Sequence, residues 1–128
     1  MGESPLVLIA AGGTGGHLFP AEALSHALAR RGLAIELATD ARVEGFAKAF
    51  PARATHSLPA ATPSGKGLVG KSAAALTLGL GTLKALALVR RLSPAAVIGF
   101  GGYPTVPPLL AAAMLKVPSL LHEQNAVL

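Results

Sequence analysis

Three short stretches of this chain carry residue types that bind anions and move protons. The first is Gly12-Gly13-Thr14-Gly15-Gly16-His17. Its glycines let the backbone approach a ligand closely, and at the start of a helix such a loop offers a phosphate unpaired N–H groups and partial positive charge. His17 stands where a ligand phosphate or hydroxyl would sit. It is therefore a candidate catalytic base or a hydrogen-bond donor to phosphate, with a helix-capping His as the plainer alternative. The second stretch, Gly99-Phe100-Gly101-Gly102-Tyr103-Pro104-Thr105, promises the same geometry, although two glycines alone also make an ordinary turn. The third is His122-Glu123-Gln124-Asn125. Glu123 there needs a hydrogen-bonding partner, because a carboxylate buried without one is costly.

Other chemistries lack material. The first loop is not a Walker loop, since no Gly-Lys-Ser/Thr follows it, and it departs from the dinucleotide fingerprint because Leu18 occupies the third-glycine position. Asp40 could hold a ribose, but capping the next helix is the simpler job. With one Asp, five Glu and no Cys, the chain is poorly supplied for carboxylate-pair catalysis, an acidic metal cage, thiolate chemistry or disulfides. His26 and His56 read as exposed and uninvolved.

The elements that must position these stretches alternate. Pro5 to Ala11 is a continuous apolar run, as in a strand buried on both faces. After the loop, residues Pro20 to Arg31 carry Ala23, Leu24, Ala27 and Leu28 at helical spacing, with Gly32 just beyond. Then come a strand at Ala34 to Thr39, a short helix at Arg42 to Phe50, a weak strand at Thr55 to Leu58, a glycine- and proline-rich loop at Pro59 to Gly70, and a long helix from Lys71 to Leu92. A strand at Ala95 to Phe100, a turn at Gly101 to Thr105, a helix to Lys116 and a strand at Ser119 to His122 complete the chain. This order predicts an α/β fold, a Rossmann-like doubly wound parallel sheet. In such sheets ligands bind beyond the carboxyl ends of the strands, where all three stretches fall.

Charge points to an anionic partner. The 128 residues carry 11 Lys+Arg against 6 Asp+Glu, and none of the acidic residues lies between Glu44 and Glu123. Few aromatic residues and no recognisable motif argue against nucleic acid, leaving a phosphate ligand or an anionic membrane surface. The uncharged run Leu92 to Leu115 is interrupted by four prolines and three glycines and cannot be one spanning helix. The Met1 start lacks the features of a signal peptide, which points to the cytoplasm. On the long helix Leu78, Ala85, Val89 and Leu92 form a stripe suited to the sheet. Leu76, Leu80, Leu83 and Ala87 form the opposite stripe, flanked by Lys84, Arg90 and Arg91. An apolar stripe edged by cations suits a membrane surface, and a protein partner covering that helix is the alternative.

Taken together, GGTGGH, GFGGYPT and HEQNAV, in this order and spacing over nearly the whole chain, resemble the N-terminal domain of the bacterial N-acetylglucosaminyltransferases that form lipid II, of the two-domain GT-B class. The resemblance implies a peripheral enzyme on the cytoplasmic face of the plasma membrane. It would move N-acetylglucosamine from its UDP carrier to lipid I with inversion, using neither metal nor cofactor. It implies that Gly13, Thr14, Gly15, Gly16, His17, Gly101, Gly102 and Tyr103 hold the acceptor diphosphate, and that Thr14, Gly15, Gly16 and Asn125 also meet the donor. His17 and Glu123 would be the catalytic candidates, and residues 1–128 an acceptor-side domain whose donor-binding partner domain lies elsewhere in a longer chain. Pro104 and Thr105 stand where the family often has other small residues. A dehydrogenase-type nucleotide module and a non-enzymatic membrane-binding domain are the other readings. The first is opposed by the missing third glycine and the HEQN cluster, and the second leaves both glycine loops unexplained.

Overall fold

The computed structural model describes residues 4–12, 15–40, 50–59 and 67–122. Five strands, β1 (Leu6–Ala10), β2 (Ala34–Thr39), β3 (Ala54–Ser57), β4 (Ala96–Gly99) and β5 (Ser119–Leu121), form one sheet in the order β3-β2-β1-β4-β5. Every pairing is parallel. The helices are α1 (Gly15–Arg30), α2 (Gly67–Leu92) and α3 (Val106–Met114), the last preceded by a 3-10 turn at Tyr103–Thr105. The doubly wound α/β expectation is met.

The central strands β1 and β4 read as continuous apolar runs because both faces are covered. Val7, Ile9, Ile35 and Leu37 pack with Leu18 and Ala21 of α1, while Leu8, Ala38 and Val97 pack with Ala85, Leu88 and Val89 of α2 and Ala111 and Ala112 of α3. α1 therefore covers one face, and α2 and α3 the other. The edge strands differ: β3 is exposed at alternate residues and β5 along its length.

Three boundaries depart from the sequence reading. α1 starts at Gly15 rather than at Pro20, so the last glycines of the loop form the first helical turn and Pro20 lies inside the helix. α2 starts at Gly67 rather than at Lys71, carried through Gly70 by an Ala- and Leu-rich segment of high helix propensity. α3 stops at Met114 short of Lys116, whose left-handed φ of 58° is incompatible with helix. The remaining strands shift by a residue or so, and the helix expected at Arg42 to Phe50 lies, apart from Phe50, outside the described residues.

α2 is the element with most consequence for function. Its 26 residues span about 39 Å, roughly twice the length of the longest strand. Because it joins two parallel strands it runs against them, so its first turns stand at the sheet's carboxyl edge. Only Gly81, Ala85, Leu88 and Val89 are buried; the first half projects beyond the sheet. The exposure corrects the inward placement of Leu78, which is 39% exposed, whereas Ala85 and Val89 pack inward as expected. By length and composition α2, rather than the segment Leu92 to Leu115, is a helix that could cross a membrane. Its anchorage in a crossover between two strands of one sheet is incompatible with spanning.

Candidate functional site

The strand order places the winding reversal between β1 and β4. After β1 the chain leaves through α1 on one face; after β4 it leaves through α3 on the other. A crevice opens between such diverging connections, and it is the standard ligand position in open parallel sheets. Both glycine loops arise at this point. The HEQN stretch follows β5, the next strand along.

On the β1 side, Gly12 is buried, and a Cβ there would stand 3.0 Å from both Pro104 Cγ and Thr39 Oγ1. The missing side chain lets the end of β2 and the β4 loop meet across the end of β1. Gly15, Gly16 and His17 form the first turn of α1, whose backbone N–H groups have no acceptor within the helix and carry the positive end of its dipole. Gly13 and Thr14, expected to hold acceptor and donor, lie outside the described residues.

On the β4 side, Gly101 and Gly102 take φ of 90° and 82°, a left-handed pair that L side chains rarely adopt. The turn is closed by Thr105, which is buried and donates from both Oγ1 (2.8 Å) and N (3.2 Å) to Gly102 O. Tyr103 opens the 3-10 turn. Beyond β5, His122 N donates to Gly99 O at 2.8 Å, and its ring lies 5.3 Å from that of Phe100, which ties the start of the HEQN stretch to the β4 loop. Glu123 and Asn125 lie outside the described residues. Thus Gly15, Gly16, His17, Gly101, Gly102 and Tyr103 all follow the carboxyl ends of β1 and β4, on either side of the winding reversal.

Two features escaped the sequence reading. Thr39 is 2% exposed at the end of β2, and its hydroxyl has no hydrogen-bond partner among the described residues, although it lies against the Gly12 turn. Asp40 beside it is also buried. The second feature is an ionic clasp on β3. Glu36, 4% exposed on β2, accepts from Arg53 Nε (2.7 Å) and from His56 Nε2 (2.6 Å), so His56 is engaged rather than uninvolved. The register explains this, because Glu36 pairs with Ala54, which puts Arg53 and His56 within reach. His26 is exposed, as expected, and stands 3.7 Å from Glu22 one turn earlier on α1.

Burial alone would push the Glu36 carboxyl up, but the hydrogen bonds and charges of His56 and Arg53 outweigh it and hold the group below its ordinary value of 4.5. A carboxylate with a depressed folded pKa contributes stability that is fully present above its unfolded value and is lost as pH falls through the folded one. Urea denaturation should therefore show wild-type stability declining below about pH 4.5. Glu36→Gln should be less stable at pH 7 and should decline less steeply in acid. Parallel pH profiles for the two proteins would remove the clasp from the account.

Outside the crevice, Leu76, Leu80 and Leu83 of α2 are 69%, 56% and 64% exposed, and Lys84, Arg90 and Arg91 beside them are exposed too. The outward stripe is therefore where the sequence placed it.

Known proteins share this architecture. The transferase of Methylobacterium nodulans named UDP-N-acetylglucosamine--N-acetylmuramyl-(pentapeptide) pyrophosphoryl-undecaprenol N-acetylglucosamine transferase is 64% identical over 124 residues, covering 97% of this chain and 33% of that protein. The protein of the same name from Rhodopseudomonas palustris is 53% identical over 128 residues, covering all of this chain and 34% of its own length. Among solved structures, MurG of Acinetobacter baumannii superposes with a TM-score of 0.80 at 33% identity, covering 96% of this chain and 36% of that one. The calicheamicin glycosyltransferase CalG4 shares the fold at 19% identity, with a TM-score of 0.68 over 99% of this chain and 34% of its own. The chain thus spans about one third of the length of the curated relatives it matches. With the glycosyltransferase family 28 N-terminal domain matching residues 7–128, the chain belongs to that family.

Proposed function

We propose that this chain is the acceptor-side domain of an inverting glycosyltransferase that transfers N-acetylglucosamine from UDP-N-acetylglucosamine to lipid I, forming lipid II. The observation that carries the reading is the winding reversal between β1 and β4, from which the start of α1 and the Gly101-Gly102 turn both arise. A diphosphate suits it, since backbone N–H groups at a helix start bind anions without needing a metal. The relatives' name specifies an acceptor with a pyrophosphoryl group. In the reaction the C4 hydroxyl oxygen of the muramoyl sugar bonds to the anomeric carbon of N-acetylglucosamine. The bond from that carbon to the UDP oxygen breaks, and UDP leaves with the bonding pair. The hydroxyl proton passes to a base, for which His17 is the first candidate and Glu123 the second. Most donor contacts come from the remaining length of the longer protein, with Thr14, Gly15, Gly16 and Asn125 meeting the donor across the cleft.

The second part of the reading is peripheral attachment to the cytoplasmic membrane face through α2. The half of α2 that projects past the sheet does so at the carboxyl edge, the edge where the crevice opens. Leu76, Leu80 and Leu83 in the acyl boundary would then bring the crevice to a lipid-linked acceptor, with cations nearby for lipid phosphates.

The test is a titration of the 128-residue chain with a soluble lipid I analogue, followed by amide NMR. Shifts should appear first at Gly15, Gly16, Gly101 and Gly102, and Gly15→Val should abolish them while leaving the rest of the spectrum in place. Shifts confined to α2 or to β3, with the glycine turns unmoved, would sink the assignment.

A further inference from the structure

Thr39, the last residue of β2, is 2% exposed, and its Oγ1 has no hydrogen-bond partner among the described residues. Its backbone, by contrast, is committed to the sheet: Thr39 O accepts from Leu58 N at 2.8 Å, and the neighbouring Ala38 O accepts from Ala11 N at 3.1 Å. The residue is fixed while its hydroxyl is left over. A buried hydroxyl without a partner opposes folding, whereas valine has nearly the same shape and no polar atom to satisfy. Packing alone would favour valine here.

Alternation along β2 fixes the direction of the side chain. Ile35 and Leu37 pack with Leu18 and Ala21 on the α1 face, whereas Ala38 packs with α2 and α3 on the other. Thr39, two residues beyond Leu37, is therefore on the α1 side, at the carboxyl end of the strand. There a Cβ on Gly12 would stand 3.0 Å from Thr39 Oγ1 and from Pro104 Cγ. Pro104 presents ring carbons to this point, and Gly12 presents backbone. The hydroxyl is closed off from solvent, so it does not itself meet a ligand and can act only through the residues packed on it.

Gly12 is the residue through which it can act. The turn that Gly12 begins leads into the first turn of α1, whose N–H groups draw an anion toward themselves. A glycine peptide rotates with little steric resistance, whereas Thr39 is held by the sheet and its β-branched side chain is stiff at χ1. A small rotation of the Gly12 peptide suffices to bring a backbone polar group onto the waiting hydroxyl.

We propose that Thr39 is a positioning residue for the first glycine loop: its hydroxyl hydrogen-bonds the backbone of the Gly12 turn when a diphosphate is bound and leaves that bond unmade in the free protein. The proposal rests on the reading of this loop as the place where the acceptor diphosphate binds. It adds a side chain that tunes the affinity without touching the ligand.

Stability and affinity then move in opposite directions on mutation. In urea denaturation of the 128-residue chain, Thr39→Val should raise the midpoint, because a methyl group replaces an unpartnered hydroxyl. The same variant should bind the soluble lipid I analogue about 5-fold more weakly, as expected for one neutral hydrogen bond, with a smaller ligand-induced shift of the Gly12 amide. Thr39→Ser keeps the hydroxyl and should restore binding, although the lost methyl lowers its midpoint. In the full-length enzyme Thr39→Val should raise KM for the acceptor and leave kcat in place, since the bond is held equally in the ground and transition states. Unchanged affinity in Thr39→Val would make the hydroxyl idle and overturn the role while leaving the diphosphate assignment standing. A lowered midpoint for Thr39→Val would mean that the hydroxyl already has a partner in the free protein, which overturns it as well. Equal losses of affinity for the Val and Ser variants would assign the effect to packing and reject the hydrogen bond. If the wild-type chain shows no shift at the glycine turns with the analogue, the diphosphate reading falls and the positioning role falls with it.

Discussion

His17→Ala in the full-length enzyme is expected to lower turnover by about 10²-fold or more at saturating donor and acceptor if His17 is the base. The expectation follows from position. His17 lies in the first turn of α1, which begins directly at the winding reversal, so the residue belongs to the element proposed above to meet the acceptor diphosphate. A second role for the same imidazole makes a different pattern. A base acts only in the transition state, so its loss lowers kcat and kcat/KM together and flattens the acidic limb of the pH profile. A donor to the acceptor phosphate contributes uniform binding, so its loss raises KM for the acceptor and leaves kcat in place. Steady-state kinetics with both substrates varied, repeated across pH, separate these outcomes. Unchanged kcat and KM would reduce His17 to a helix-start residue.

The features legible in the sequence are those written locally. β1 is an uninterrupted apolar run, and the Gly-rich segment between β1 and α1 is placed without knowing anything distant. The wrong starts of α1 and α2 have one physical source. Pro20 reads as a residue near a helix start and Gly67 and Gly70 as loop, but a helix packed on a sheet, or running on from a strongly helical segment, absorbs the cost of about 1 kcal/mol for a glycine and about 3 kcal/mol for a proline. Contacts set by the sheet were illegible. Glu36, Arg53 and His56 are separated by 17 and 20 positions, and only the β2/β3 register assembles them. Likewise the meeting of Thr39 and Pro104 over Gly12 joins residues from the ends of β2 and β4 across β1. The amphipathic pattern of α2 correctly assigned the outward stripe, yet it could not tell how much of the helix is covered, and Leu78 was misplaced for that reason.

The expected contrast between Gly79→Ala and Gly81→Ala tests how α2 is held at that point. A Cβ at Gly79 meets nothing within 4 Å, whereas at Gly81 it runs into the carbonyl oxygen of Pro59 and comes within 3.2 Å of Pro107 Cγ. Pro59 follows the end of β3, and Pro107 is a fully buried residue in the first turn of α3, so Gly81 marks where α2 crosses both. Neither obstacle is a flexible side-chain end that could swing away. In an exposed helix interior Gly→Ala stabilises by about 0.5–1 kcal/mol, because the unfolded chain loses freedom and the helix gains propensity. Gly79→Ala should show that gain in urea denaturation. Gly81→Ala receives the same propensity gain but must push the helix away from the sheet, and overpacking of this kind costs about 1–3 kcal/mol or more. Its net effect should be destabilising, placing the two variants about 2 kcal/mol or more apart. The displacement would also tilt the half of α2 that carries Leu76 and Leu80, so Gly81→Ala should weaken vesicle binding while Gly79→Ala leaves it intact. Equal stabilities for the two alanine variants would mean that α2 crosses Pro59 and Pro107 with room to spare, and the helix would then not be held in a fixed direction relative to the crevice.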